Sequence, residues 1–206
     1  MKSIVRYFAL GAVLLATLLS ISACFPLVAG GAVMTGFVAV DRRTSGAMLE
    51  DQSIELKITS RIREALGERV HISVTSYNRK VLLTGEAPDA KDKERVGEIA
   101  KNIDNTTSVW NEVGVTSIST LTERTNDLVM AGRIKADLID AKDLFSNAYK
   151  VIAERGTVYV MGRITAREAK RVSSVISGVT GVKKVVLVHE TITDDELANL
   201  QAKPAN

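Results

Sequence analysis

Cysteine, histidine and aromatic residues are scarce in this chain, and each scarcity excludes a class of site. The 206 residues include one cysteine, so no disulfide can form within the chain and the fold depends on packing. Aromatic residues make up 4%, too few for the stacking platforms that bind single-stranded nucleic acid. The two histidines, His71 and His189, lie in strand-like segments without a cysteine or carboxylate at metal-ligand spacing. We therefore expect no metal site.

Catalytic motifs are also missing from the sequence. It contains no phosphate-binding glycine loop, no nucleophile elbow and no Cys-x-x-Cys pair. The acidic run 194–196 follows Thr193 in the pattern of a helix capping box, so a short C-terminal helix accounts for it without chemistry. We expect neither enzymatic activity nor a cofactor.

Charge is absent from a long N-terminal stretch and unevenly distributed after it. No charged residue occurs between Arg6 and Asp41. The segment 51–118 has ten Lys/Arg against eleven Asp/Glu, a net charge of −1, whereas 122–192 has twelve against eight, a net charge of +4. This balance is too even for the counterion release that drives nucleic-acid binding. We expect the two halves to face different surroundings.

The N-terminus has the layout of a secretory signal. A basic stretch, residues 1–6, precedes the apolar run 7–21 and the small residues before Cys24. The tetrapeptide Ile-Ser-Ala-Cys, residues 21–24, resembles a bacterial lipobox. It predicts that residues 1–23 are removed and that Cys24 carries the lipid anchor.

A membrane-spanning helix is the competing interpretation of this stretch. The uncharged segment is long enough to cross a bilayer, but Pro26, Gly30, Gly31 and Gly36 interrupt its second half. Phe25 follows the cysteine, whereas an aspartate there resembles an inner-membrane retention signal. The expected location is therefore the periplasmic face of the outer membrane.

The rest of the chain contains one small unit twice. The segment 80–85, Lys-Val-Leu-Leu-Thr-Gly, recurs as 157–162, Thr-Val-Tyr-Val-Met-Gly. A strand-like segment and a two-residue turn precede each copy, which predicts two β-hairpins. Alternation predicts these inner-face residues: Val81, Leu83, Val158 and Val160.

Helices flank each hairpin. The predicted caps are Asp89 in the first copy and Thr165, with Glu168 three residues later, in the second. Before each hairpin, apolar residues spaced by four indicate one buried helical stripe: Ile54, Ile58 and Ile62, then Met130, Ile134 and Leu138. A last strand follows in each copy, within 108–118 and 182–192.

Each unit thus has the order αββαβ, and a unit of about 70 residues has a thin core. Two helices packed on one face of a three-stranded mixed sheet is the α+β arrangement that we expect. The predicted organisation is a signal at 1–23, a lipid-anchored tether at 24–49, domains at 50–119 and 122–193, and a tail at 194–206.

This order, a strand that ends in a glycine in each copy (Gly85 and Gly162), and the closing patterns at 109–113 and 181–185 resemble BON domains. The residues at 39–44 look like the linker of the same family. Two such domains behind a lipobox resemble dual-BON outer-membrane lipoproteins. The resemblance implies tandem BON domains in which Gly85 and Gly162 are structural glycines.

The resemblance also implies a function. It points to a protein without catalytic activity that supports envelope integrity, binds anionic phospholipid through the second domain and can gather at division sites. In that family a tryptophan early in the first helix of the second domain enters the membrane surface. The matching position here is Leu128, followed by Val129, and leucine lacks the amphipathic ring that favours the headgroup level.

Basic residues of the second half could face the same membrane. Arg167, Lys170 and Arg171 share one helix face, and Lys183 and Lys184 add to the positive charge. A solvated helix face is the simpler interpretation. The alternative function is a periplasmic adaptor that binds envelope assembly proteins, and the position of the Leu128 helix distinguishes the two.

Overall fold

The computed structural model describes residues 41–202, and two copies of the same unit make up this part of the chain. The predicted signal and Cys24 lie outside the described residues. The first copy consists of α1 (Ser45–Leu66), β1 (His71–Tyr77), β2 (Lys80–Ala87), α2 (Ala90–Lys101), β3 (Ser108–Asn111) and β4 (Gly114–Val115). The second consists of α3 (Leu121–Asp140), β5 (Tyr149–Glu154), β6 (Thr157–Ile164), α4 (Ala166–Ser177) and β7 (Lys184–Thr191), and α5 (Asp194–Ala202) follows it.

Both sheets are mixed, with the second hairpin strand in the centre. β1 pairs antiparallel with β2, and β3 and β4 pair parallel with β2. In the second sheet β5 is antiparallel and β7 parallel to β6. The hairpin turns have positive φ at Asn78 and Arg79 and at Arg155 and Gly156, as two-residue turns require. The predicted α+β fold with tandem αββαβ units is confirmed.

Each sheet has one face covered by two helices, which forms a separate hydrophobic core. The first core joins Ile54, Ile58 and Ile62 of α1 to Val81 and Leu83 of β2. The second joins the equivalent residues: Ile134 and Leu138 of α3, Val158 and Val160 of β6, and Met130 at the edge. The stripes spaced by four therefore mark buried faces as predicted.

The last strand of the first copy is shorter than predicted and is interrupted. Its pairing with β2 stops after Asn111 and resumes at Gly114 in the same register. The interruption lies opposite Gly85, whose φ of +104° departs from strand geometry. In the second copy no such φ occurs at Gly162, and β7 pairs with β6 without a break.

The other faces of the two sheets pack against each other. Tyr77 and Leu82 of the first sheet form one buried cluster with Tyr159, Met161 and Val188 of the second. The single tryptophan, Trp110, is partly buried against this cluster. Because both faces of each sheet are covered, the central strands β2 and β6 are almost continuously buried.

The segment ahead of α1 is part of the folded body. Residues 41–44, which we call the linker segment, end in Thr44, whose side chain accepts a hydrogen bond from the Ala47 amide as the cap of α1. The predicted boundary between the tether (24–49) and the first domain (50–119) falls inside α1, which begins at Ser45. At the other end, Thr193 and Glu196 form the expected capping box and α5 follows.

Candidate membrane-binding surface

Helix α3 begins at a capping box and buries one face. The Thr120 hydroxyl accepts from the Glu123 amide at 3.2 Å, and the Glu123 carboxylate accepts from the Thr120 amide at 2.7 Å. Ile134 and Leu138 are fully buried against β5 and α4. This packing fixes the rotation of the helix and therefore decides which residues point outward.

The outward side of α3 is apolar. Leu121 is 75% exposed, Leu128 74% and Ile139 60%, and Val129 is exposed beside them. Steps of seven and eleven residues return to the same side of a helix within about 20°, so these leucines and Ile139 form one line. We call Leu121, Leu128, Val129 and Ile139 the apolar face of α3.

Most of the spaces along this line are filled by uncharged residues, but two basic residues also lie on it. Arg124 is partly buried and donates to His71, and Lys135, seven residues after Leu128, is partly buried and donates to the Ser146 carbonyl oxygen. Thr125, Gly132 and Ala136 are exposed on the same side of α3. Leu128, which the resemblance selected, thus stands near the middle of a longer surface. Sequence reasoning missed Leu121 and Ile139, although their spacing from Leu128 was a readable signal.

The first domain has a smaller exposed apolar surface. Leu49 and Leu56 of α1 are 68% and 72% exposed and lie seven residues apart. Arg63, a further seven residues along, is exposed on the same side of α1. This second surface was also not predicted. Its order of two exposed leucines and then a basic residue, at steps of seven, repeats that of Leu121, Leu128 and Lys135 on α3, but α3 adds Val129 and Ile139.

Part of the predicted basic set lies at the C-terminal end of α3. Arg171 of α4 forms an exposed ion pair of 3.0 Å with Asp143, which follows α3. The Arg171 hydrogen bond is the main cause that holds the pKa of Asp143 below its ordinary value, and Arg167 adds to the effect. Lys170 is exposed on the same helix.

The remaining predicted basic residues lie near the N-terminal half of α3. The Asp127 carboxylate accepts from the Arg155 amide in the β5–β6 turn at 2.9 Å. The side chain of Lys183 packs over Gly156 of that turn, and Gly181 packs against Met130 of α3. Lys184, at the start of β7, is exposed. The basic residues thus form two groups, one at the C-terminal end of α3 and one near its middle, and not one patch.

A buried polar cluster joins the two domains near α3. The fully buried Glu86 carboxylate contacts His71 Nδ1 at 3.2 Å, the Ser119 hydroxyl at 3.2 Å and Arg155 at 3.3 Å. His71 Nε2 accepts from Arg124 of α3 at 3.1 Å. Serine, histidine and glutamate meet here, but the hydroxyl donates to the carboxylate and not to the imidazole. The cluster therefore lacks the nucleophile–base contact of a catalytic triad.

This cluster perturbs one neighbouring acid. Burial, together with the negative charges of Glu86 and Asp127, raises the pKa of Glu154 to about 7. The positive charges of Arg155 and Arg124 oppose the rise. Among the described residues, no group of three or more histidine, cysteine or acidic side chains has metal-binding geometry.

The two glycines from the sequence pattern lie on the central strands. A Cβ atom at Gly85 would stand 2.0 Å from the His71 carbonyl oxygen, and one at Gly162 would stand 2.7 Å from that of Ala148. Both strands therefore approach their hairpin partner too closely for a side chain. Within residues 41–202, no helix has the length and hydropathy to cross a bilayer.

Comparison with known proteins identifies both repeats. The BON domain model matches residues 51–117 and 126–188. The chain is 27% identical over 179 residues to the outer membrane lipoprotein DolP of Haemophilus influenzae, which covers 86% of this chain and 93% of that protein. It is 28% identical over 151 residues to the 21 kDa hemolysin of Actinobacillus pleuropneumoniae, covering 72% of this chain and 78% of that protein.

A solved structure of CdsD, a structural protein of the type III secretion system of Chlamydia trachomatis, is also similar. The match covers 77% of this chain and 99% of that one, with 13% identity and a TM-score of 0.30. A likeness at this level supports no inference about arrangement or function.

Proposed function

The chain belongs to the BON-domain family, with two BON domains, and we propose that it is a lipid-anchored outer-membrane protein whose second domain binds anionic phospholipid. The acylated Cys24 holds the protein on the periplasmic face of the membrane. The apolar face of α3 then inserts at the level of the acyl chains. The lipoprotein name of the Haemophilus influenzae relative supports the location.

The single observation that carries this proposal is the exposure of four large apolar residues along one side of α3: Leu121, Leu128, Val129 and Ile139. Soluble proteins rarely leave such a surface in water, and large exposed patches mark interaction sites. An amphipathic helix that lies in a membrane interface has an apolar face of this kind and basic residues beside it. Arg167 and Arg171 near the C-terminal end of α3, and Lys183 and Lys184 near its middle, supply the positive charge.

The charges favour anionic over zwitterionic lipid. Each lysine or arginine near an anionic surface contributes about 1 kcal/mol. Asp143 offsets part of this at one end because it pairs with Arg171. The lipid surface, and not a metal or cofactor, is therefore the ligand for which this surface is suited.

Vesicle binding tests the proposal. A chain of residues 39–206 lacks Cys24, so any binding comes from the folded body. We expect it to sediment with vesicles that contain phosphatidylglycerol and to stay in solution with pure phosphatidylcholine. Leu128→Glu should abolish binding because a charge at an inserting position is costly. Leu56→Glu is the matched control, since Leu56 is equally exposed on the first domain.

Two outcomes would contradict phospholipid binding: equal sedimentation with both vesicle types, or none with either. A role as an adaptor for envelope assembly proteins would then be the better interpretation. The exposed Leu49 and Leu56 of α1 favour that second role, because they offer a separate apolar surface on the other domain. In that case Leu56→Glu, and not Leu128→Glu, would remove the function.

The wider role that we propose is support of envelope integrity, including at division sites. Bacteria without the protein should become sensitive to detergent, and the wild-type gene should restore resistance. The Leu128→Glu variant should fail to restore it although it is exported and folded. If that variant fully restored resistance, envelope integrity would not depend on lipid contact by α3.

A further inference from the structure

Two consecutive arginines of the linker segment bind different domains. Arg43 pairs with Asp51 of α1 at 2.8 Å, and its guanidinium carbon lies 4.4 Å from the centroid of the Tyr77 ring. Arg42 instead binds Glu168 of α4 through both carboxylate oxygens, at 2.7 and 2.8 Å. The linker segment is therefore held by the first domain and by the second at adjacent positions.

The contact of Arg42 with the second domain is buried and specific. The side chains of Arg42 and Glu168 are each 1% exposed. Arg42 also donates to the Arg163 carbonyl oxygen at 2.7 Å, and Glu168 accepts from the Thr165 amide at 3.0 Å. Burying two charges is unfavourable unless both are paired and hydrogen-bonded. Here the two terminal nitrogens of Arg42 are bonded, whereas its Nε is buried without a partner among the described residues. A linker that only connected two segments would not need such a pair.

The position of this contact relates it to α3. The Arg42 guanidinium carbon lies 6.0 Å from the centroid of the Phe145 ring, which follows α3 and is exposed. Glu168 lies in the first turn of α4, next to Arg167 and three residues before Arg171. The linker segment therefore meets the second domain beside the C-terminal end of α3, where Asp143 and Arg171 form their ion pair.

We propose that the linker segment is a clasp and that Arg42 is its positioning residue. It holds the second domain against the first, and it holds the chain that comes from Cys24 beside the C-terminal end of α3. Residue 41 is 17 residues after Cys24, a fully extended reach of about 60 Å at most. The clasp thus keeps the C-terminal end of α3 beside a residue that lies within that distance of the anchored Cys24. This last consequence rests on the proposed function.

Domain packing tests the clasp without any lipid. Trp110 is the single tryptophan and lies against the cluster between the two sheets, so its emission reports their contact. In the full chain, Arg42→Gln should shift the emission of Trp110 to the red and increase its quenching by iodide, while circular dichroism stays unchanged. The control is Arg63→Gln, an exposed arginine of α1, which should change neither signal.

A variant that removes both charges keeps the test valid if the single variant does not fold. Loss of Arg42 alone leaves the Glu168 charge buried, and the variant could fail to fold. Arg42→Gln combined with Glu168→Gln leaves two neutral amides, and Gln still suits the capping box of α4. The Trp110 signals are then read in the double variant. A folded single or double variant with wild-type Trp110 emission and quenching would overturn the proposal.

The membrane consequence has its own readout in the acylated protein. Cys24 is the only cysteine, so in the acylated protein Val129→Cys introduces the only free thiol, which can carry an environment-sensitive dye. In phosphatidylglycerol vesicles the dye should report a lipid environment, and Arg42→Gln should return it to water. The lipid proposal fails if residues 39–206 do not bind vesicles. The clasp fails if Arg42→Gln leaves the emission and quenching of Trp110 unchanged, and its membrane consequence fails if the dye signal stays unchanged.

Discussion

The carbonyl oxygen of His71 occupies the place where a side chain at position 85 would begin. An ideal Cβ on Gly85 would lie 2.0 Å from that oxygen, and Gly85 has a φ of +104°. The equivalent glycine of the second domain, Gly162, would place its Cβ 2.7 Å from the Ala148 oxygen, without a positive φ. In both repeats a glycine lets the central strand approach the carbonyl oxygen of its hairpin partner. A side chain would clash at either position, but only at Gly85 would it also have an unfavourable φ.

Gly85→Ala should therefore destabilise the protein more than Gly162→Ala. In the first case both the clash with backbone and the unfavourable φ must be relieved, which we expect to cost about 3 kcal/mol or more. In the second the clash alone remains. Urea unfolding of both variants measures the difference. Gly132→Ala is the control, since a Cβ there meets nothing within 4 Å, and it should stabilise α3 by up to ~1 kcal/mol. Equal losses at positions 85 and 162 would contradict this account.

The Arg42–Glu168 pair should show strong energetic coupling. Glu168→Gln leaves Arg42 buried without its counter-charge, so we expect a loss of about 3–5 kcal/mol. The variant with both Arg42→Gln and Glu168→Gln should lose less than the two single losses added together, with a coupling of about 1–3 kcal/mol. The same comparison of single and double variants for the exposed pair Arg95–Glu98, which is 3.2 Å apart, should give a coupling energy under about 0.5 kcal/mol. Additive losses at 42 and 168 would show that the two side chains act independently.

Glu154 should make the protein less stable as pH rises towards neutrality. Its folded pKa of about 7 lies above the ordinary glutamate value of 4.5, so the folded state binds more protons between these values. Stability falls with rising pH across that window. Glu154→Gln should gain about 1–2 kcal/mol over wild type between pH 5 and pH 8, less than the full shift implies because the side chain is partly exposed. The free energy of unfolding of both proteins should be measured across this pH range. The difference between them removes the contributions of the other titrating groups, which both proteins share. A gain that does not change with pH would contradict the prediction.

Leu128→Trp should strengthen vesicle binding. Leucine at this exposed position can enter the acyl region, whereas tryptophan also favours the headgroup level. We expect roughly fivefold tighter binding of residues 39–206 to phosphatidylglycerol vesicles, ~1 kcal/mol. Leu56→Trp on α1 adds the same ring to the first domain and should leave binding unchanged. Equal gains from both would indicate non-specific adsorption through an exposed ring.

Much of the local structure was readable from sequence. The turns at 78–79 and 155–156 adopt positive φ, and Asp89 and Thr165 cap the helices that follow them. These features depend on neighbours a few residues away, so a short window contains their cause. The candidate site was only partly readable. Leu128 came from a family resemblance. The spacing of Leu121 and Ile139 shows that they share its side of α3, but whether that side is exposed depends on how the helix packs.

By itself the sequence determined two copies of one αββαβ unit and the residues that face each helix-covered core. Tertiary structure alone decided what covers the other face of each sheet. Alternation shows that Leu82 and Tyr159 point away from the helices, but an apolar side chain does not specify its partner. The same holds for Arg42 and Glu168, which are 126 residues apart. Contacts at such separation form because the two sheets dock and expel water, and no local pattern encodes that docking.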